Sequence, residues 1–308
     1  MTSRTLNVPL VSRPGPGPVR ASLLRSLELR IRRRIDALVP GDYRSLMLGD
    51  GVELAQIRPY EIGDDIRAID WNVTARTGEP HVRLRVAERA LTTWILIDVS
   101  RSMSFGTQDR TKADVAEGAL LAIARLATAG ANRLGAIAFA NDASVALPTT
   151  GDRRRMLPLA EAVDRAWAPA PAAGTGFAAA FELADRLSRR PGAVVVVSDF
   201  RGPTTWKPAL SRLARRHHVL ALEILDEREQ RLVDAGDLAL VDPETGGDLL
   251  VDTSDANVRR RFAEAADAER SDVRRALRAA GADHVTLTTS GDWLRSLAAF
   301  LNKRRRPR

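Results

Sequence analysis

Cysteine is absent from all 308 residues, so neither a disulfide framework nor a thiolate metal site is open to this chain. Lysine is nearly absent as well: it stands only at 112, 207 and 303, and arginine supplies almost all of the 47 basic residues. No apolar run reaches the roughly 18 residues that a membrane span needs. The opening stretch, MTSRTLNVPLVSRPGPGPVR, has no apolar core of the secretory kind. These features predict a cytoplasmic protein. Aromatic residues make up 5% of the chain, and none is interleaved with the basic clusters RIRRR (30–34) and KRRRPR (303–308) as single-strand binders require. The formal net charge of +8 therefore reads as a solvated basic surface in an arginine-biased chain, and nucleic acid is not expected as a partner. Neither a G-x-S-x-G elbow nor a G-x-x-x-x-G-K-[ST] loop occurs, which removes the usual hydrolase nucleophile and the usual nucleotide cradle. The four histidines, at 81, 217, 218 and 284, lack metal-ligand spacing and read as structural.

What is present is an ordinary globular composition, 44% hydrophobic and 28% charged, in a chain long enough for one large domain with an accessory region. The Pro- and Gly-rich residues 1–20 read as a flexible arm. Residues 21–91 read as an N-terminal accessory region: an amphipathic helix over ASLLRSLELRIRRRIDALVP, then irregular chain with short alternating strands such as HVRLRVAER. From 92 to 302 apolar strands alternate with helices, and 303–308 form a basic tail. TTWILIDV is a strand. The next segment is a helix, with Thr111 as N-cap, Asp114 three places on and Gly130 at its end. RLGAIAFA and SVALPT follow as strands joined by the short turn ND. Helices are expected around 153–167, 177–189, 206–215, 256–280 and 291–302. Further strands are expected at AVVVVSD, HVLALEIL and HVTLTT, with a hairpin turning on PETGG.

Strands that are apolar on both faces and separated by helices specify an α/β fold: a doubly wound, mainly parallel sheet, with one short antiparallel strand at its edge. Ligands of such sheets bind beyond the carboxyl ends of the strands. The first long strand ends in Asp98, Ser100 and Ser102, whose two-residue spacing directs them to one side. AVVVVSD ends in Ser198 and Asp199, and PAAGTGF places Thr175 in a small-residue loop before a helix. Two carboxylates and three hydroxyls form an all-oxygen, low-charge donor set suited to Mg2+ or Mn2+. Such an ion stays under-neutralised, and an acidic side chain on a protein partner would complete it.

Asp98-x-Ser100-x-Ser102, Thr175 and Asp199 together resemble the metal-ion-dependent adhesion site of von Willebrand factor A-type domains. The resemblance implies Ser100, Ser102 and Thr175 as direct ligands, with Asp98 and Asp199 acting partly through water. Upstream, RPYEIGDDIRAIDWNVTARTGEPHVR carries Arg58, Tyr60, Gly63, Asp64, Asp65, Arg67, Asp70, Trp71, Ala75 and Arg76. It resembles the signature of the bacterial domain-of-unknown-function 58 family of A-type proteins. LIDVSRSMSFG and the DPETGGDLLVDT hairpin fit the same family, so the likeness spans about residues 40–290. It implies a bacterial interaction module, not an enzyme, working with a MoxR-type AAA+ ATPase in complex assembly or maturation. Two departures are visible: many members carry membrane helices before this region, and Thr175 is followed by Gly176 where relatives often have a polar residue.

Other readings compete. The aspartate and serines can simply cap a turn. Asp64, Asp65, Arg67, Asp70 and Arg76 are expected to form ion pairs that fasten the accessory region to the sheet, with Trp71 in the core; the alternative is a second surface that reads a partner. A metal can also activate water, so a metal-dependent phosphoesterase using the same residues is the alternative function.

Overall fold

The structure is a computed structural model and describes residues 57–83, 91–107, 110–128, 132–140, 143–150, 176–241 and 247–304, with the single position 162. Several expectations lie outside the described residues. They are the arm 1–20, the helix over 21–39, the ND turn, Gly130, the helix around 153–167, Thr175 and the PETGG turn.

The first described unit is small. β1 (Ile57–Pro59) and β2 (His81–Arg83) pair antiparallel, and between them lie a 3-10 turn over Ile66–Ala68 and helix α1 (Trp71–Thr77). Both helical pieces begin on an aspartate. The Asp65 carboxylate accepts from the Arg67 N–H, and that of Asp70 accepts from the N–H groups of Asn72 and Val73, meeting donors the first turn leaves unpaired. Among the described residues, Asp64 pairs with Arg58 at 2.7 Å within the segment, and Asp65 and Asp70 act as caps. Arg67 and Arg76 are exposed. Trp71 is corrected outright. It is 69% exposed, because it opens a seven-residue helix that buries none of its residues.

From β3 (Thr92–Asp98) onward the alternation is the expected one. It runs α2 (Lys112–Ala127), β4 (Arg133–Ala140), β5 (Ala143–Thr150), α3 (Phe177–Leu187), β6 (Ala193–Ser198), α4 (Lys207–Ala214) and β7 (His218–Leu225). A separate antiparallel hairpin, β8 (Asp237–Val241) and β9 (Asp248–Asp252), precedes α5 (Ala256–Ala279), β10 (Asp283–Thr288) and α6 (Trp293–Arg304). The large sheet has the order β10-β7-β6-β3-β4-β5. Its first five strands are mutually parallel, and β5 runs antiparallel to β4 at the edge. The fold is doubly wound α/β.

The period of two divides each central strand between two cores. Ile95, Ile97, Val195 and Val197 pack with residues of α2 and α6 on one side. Trp94, Leu96, Val194 and Val196 pack with residues of α3, α4 and α5 on the other.

Helix α2 starts on a reciprocal capping box: the Thr111 hydroxyl accepts from the Asp114 N–H, and the Asp114 carboxylate accepts from the Thr111 N–H at 2.8 Å. The helix ends at Ala127 with Thr128 as C-cap, earlier than the Gly130 of the expectation, and the Thr128 hydroxyl donates to the Ala124 carbonyl. Only Asp114 and Arg125 of this helix are other than buried, so it is walled in along its length. Gly118 faces the ring of Trp293 on α6, and a Cβ there would come within 2.4 Å of it.

Candidate functional site

β3 lies between β6 and β4. The chain leaves β3 for β4 and β5, then returns to β6 on the other side, so the carboxyl end of β3 is the switch point of the sheet. Asp98 stands there, fully buried. Ile97 pairs with Val197, which brings Ser198 alongside, and the Ser198 hydroxyl donates to Asp98 Oδ2 at 2.5 Å. Asp98 Oδ1 accepts the Ser100 N–H at 2.9 Å, an Asx-type turn that leads the chain out of the strand. A 3-10 turn follows over Arg101–Ser104 and buries Ser102 and Met103. The Ser100 and Ser102 hydroxyls lie 3.1 Å apart, and the Ser102 hydroxyl also bonds the Asp199 carboxylate.

Asp199 is aimed by an unusual residue. Phe200 adopts the left-handed region at φ 52°, which costs a side-chain-bearing residue about 1–2 kcal/mol. Its N–H donates to the Ser198 hydroxyl at 2.9 Å. Its fully buried ring stacks on Phe177, 5.6 Å between centroids, and tilts against Trp206 at 5.8 Å. Aromatic burial of that size offsets the backbone strain. Four of the five predicted donors, Asp98, Ser100, Ser102 and Asp199, are thus gathered, all buried; Thr175 is outside the described residues.

Lys112 and its partner Glu229 are residues that sequence reasoning missed. Lys112 is the first residue of α2 and fully buried, and its ammonium donates to Asp199 Oδ2 and to Glu229 Oε1, each at 2.7 Å. Glu229 Oε1 also accepts Arg201 Nη1 at 2.8 Å, and the Arg201 N–H donates to Asp199 Oδ1 at 3.2 Å. Burial alone pulls the lysine pKa down, but Asp199 and Glu229 outweigh it and hold the ammonium above its ordinary value. Burial likewise pushes Asp199 up, and Lys112 against it holds the carboxyl below the ordinary range. Among the described residues no such cation contacts Asp98. Burial, then the neighbouring Asp199 charge, pushes its carboxyl up to about 7. Removing one partner of a buried ion pair of this kind costs about 3–5 kcal/mol.

A signal for Lys112 was available. A cation at the N-terminal end of a helix opposes the helix dipole, and this chain otherwise spends almost no lysine. A lysine kept there needs a carboxylate close by.

A further buried aspartate braces the site. Asp226, at the end of β7, accepts the Thr107 N–H at 2.9 Å and the Thr107 hydroxyl at 2.6 Å. It also accepts the Arg228 N–H at 2.9 Å and the Thr289 hydroxyl at 2.7 Å. Burial pushes its pKa up, but the hydrogen bonds, those of Thr107 first, bring it below the usual value. It ties the loop between Ser102 and Lys112 to the ends of β7 and β10.

Among the described residues no group of three or more His, Cys, Asp or Glu side chains is placed to hold a metal ion. The set at the switch point is of another kind: two carboxylates with serine hydroxyls, all oxygen, which is the donor chemistry of a hard divalent cation.

The molecule is, then, a doubly wound α/β protein with a buried oxygen cluster at the switch point of its sheet. It belongs to the family described as "Protein of unknown function DUF58", which its residues 56–272 match. An uncharacterized protein of Mycobacterium tuberculosis is 41% identical over 291 residues, covering 94% of this chain and 91% of that protein. An uncharacterized protein of Mycobacterium avium is 45% identical over 129 residues, covering 42% of this chain and 76% of that one. Among solved structures, the conserved hypothetical protein BatB from Bacteroides thetaiotaomicron shows 19% identity and a TM-score of 0.44, covering 70% of this chain and 98% of that one. The SpRpn10 VWA domain shows 15% identity and a TM-score of 0.37, covering 70% and 95%. Among the described residues no helix is long and apolar enough to cross a membrane.

Proposed function

We propose that this protein is a metal-dependent protein–protein interaction module. Asp98, Ser100, Ser102 and Asp199, with Thr175, hold one Mg2+ or Mn2+, and an acidic side chain of a partner completes the shell. The partner we propose is a MoxR-type AAA+ ATPase, with the pair acting in the assembly or maturation of a larger complex. One observation carries the reading: two carboxylates and two hydroxyls from separate strand ends converge at the switch point of the sheet, where ligands of such sheets bind. Hydroxyls in place of further carboxylates leave a dication short of negative charge, which favours an outside carboxylate.

The test uses the full chain. Mn2+ binding is measured by calorimetry for the wild type and for Asp98→Ala, with saturable binding expected for the first and none for the second. Co-purification with a MoxR-type ATPase from the same genome is then compared in Mg2+ and in EDTA. Recovery that is equal in both, and unchanged by Asp98→Ala, overturns the proposal.

A further inference from the structure

Lys112 puts a fixed positive charge where a divalent ion would be bound. With every group ionised, Asp98, Asp199, Glu229 and Glu269 carry four negative charges and Lys112 and Arg201 two positive ones, so Lys112 cancels one of the three negative charges the cluster would otherwise offer a dication. Asp199 is already engaged, with one oxygen on the lysine and the other on the Arg201 N–H. Glu229 is shared by both cations. Of the two predicted carboxylate donors, Asp199 is held by a cation, while the contacts of Asp98 among the described residues are the Ser198 hydroxyl and the Ser100 N–H and hydroxyl. A dication added to this cluster is just neutralised, whereas without the lysine one negative charge would remain to hold it more tightly.

We infer that Lys112 is an affinity-limiting residue of the site: its charge weakens divalent-ion binding, so that an acidic ligand supplied with the ion adds to its retention. The inference rests on the metal reading of the cluster and adds a reason for its partner dependence. Cation affinity of oxygen sites follows the charge of their ligands, and a like charge at short range inside a protein opposes the ion strongly. Lys112 acts through Asp199 and through its field, so it is a positioning residue and not a ligand.

Four full-length proteins test this by Mn2+ titration read by electron paramagnetic resonance, with circular dichroism confirming that each is folded. They are the wild type, Lys112→Met, Glu229→Gln, and the double variant Lys112→Met with Glu229→Gln. Lys112→Met is expected to bind about tenfold tighter or more than the wild type. Glu229→Gln should bind more weakly, and the double variant, which restores the original net charge without the lysine, should return near the wild-type value. Should Lys112→Met alone fail to fold, the weakening in Glu229→Gln and its recovery in the double variant still decide the matter. Equal affinity across the folded variants, with wild-type binding abolished by Asp98→Ala, overturns the inference and leaves the metal site standing. No binding in any of them, wild type included, overturns both.

Discussion

Replacing Asp226 by asparagine should cost about 3 kcal/mol of stability, and the figure follows from the way its four donors are divided. Oδ1 takes the Thr107 hydroxyl and the Arg228 N–H; Oδ2 takes the Thr107 N–H and the Thr289 hydroxyl. An amide keeps one acceptor oxygen and turns the other position into a donor. Whichever way it sits, it faces one hydroxyl and one backbone N–H with its own NH2. A hydroxyl can rotate to accept; an N–H cannot, so one buried backbone donor is orphaned at about 1–3 kcal/mol. The remaining bonds lose their charge assistance, which accounts for the rest.

Equilibrium urea unfolding of the wild type and Asp226→Asn near pH 7 measures the gap. Its pH dependence gives an independent check. The carboxyl pKa is lowered in the fold, so the stabilisation is fully present above the unfolded value of about 3.9 and is lost as pH falls through the folded value. The gap between the two proteins should therefore be constant above about pH 5 and shrink on further acidification. A gap under about 1 kcal/mol at neutral pH, or one that widens in acid, refutes the reasoning.

Three further outcomes follow from the packing. Gly118→Ala should destabilise by about 1–3 kcal/mol despite the better helix propensity of alanine, since the new Cβ drives into the buried Trp293 ring; thermal unfolding and tryptophan emission report it together. Phe200→Ala should lose about 3–5 kcal/mol in urea unfolding, because it keeps the left-handed backbone and removes the ring that stabilises it. Trp71→Ala should change stability by less than about 0.5 kcal/mol, whereas Asp70→Ala should cost about 1 kcal/mol through the lost cap; both are read by the same urea titration.

The large sheet was legible because the signals that specify it are local. Continuous apolar runs such as AVVVVS cannot face water on either side, the Thr111–Asp114 pair announces the start of α2, and the Ala143–Thr150 strand follows RLGAIAFA too closely for a parallel crossover. The meeting of residues 98, 100, 102 and 199 was legible for a related reason: strand ends are easy to locate, and parallel strands in register bring their ends together. Lys112 and Glu229 were not found, since their meeting joins residues 117 positions apart and depends on which strands are neighbours. Trp71 misled because a tryptophan is buried on average, and its exposure here is decided by a short helix with no core of its own.

Helix α2 carries Lys112 at its first position and the Gly118 socket for Trp293 about 9 Å further along its axis. Being enclosed on nearly every side, it has no room to tilt or swing. It behaves as a piston rod in a fitted sleeve: displacement at one end can only be axial. A change in the ionic knot that shifts Lys112 along the helix axis would therefore slide the Gly118 socket past the indole of α6.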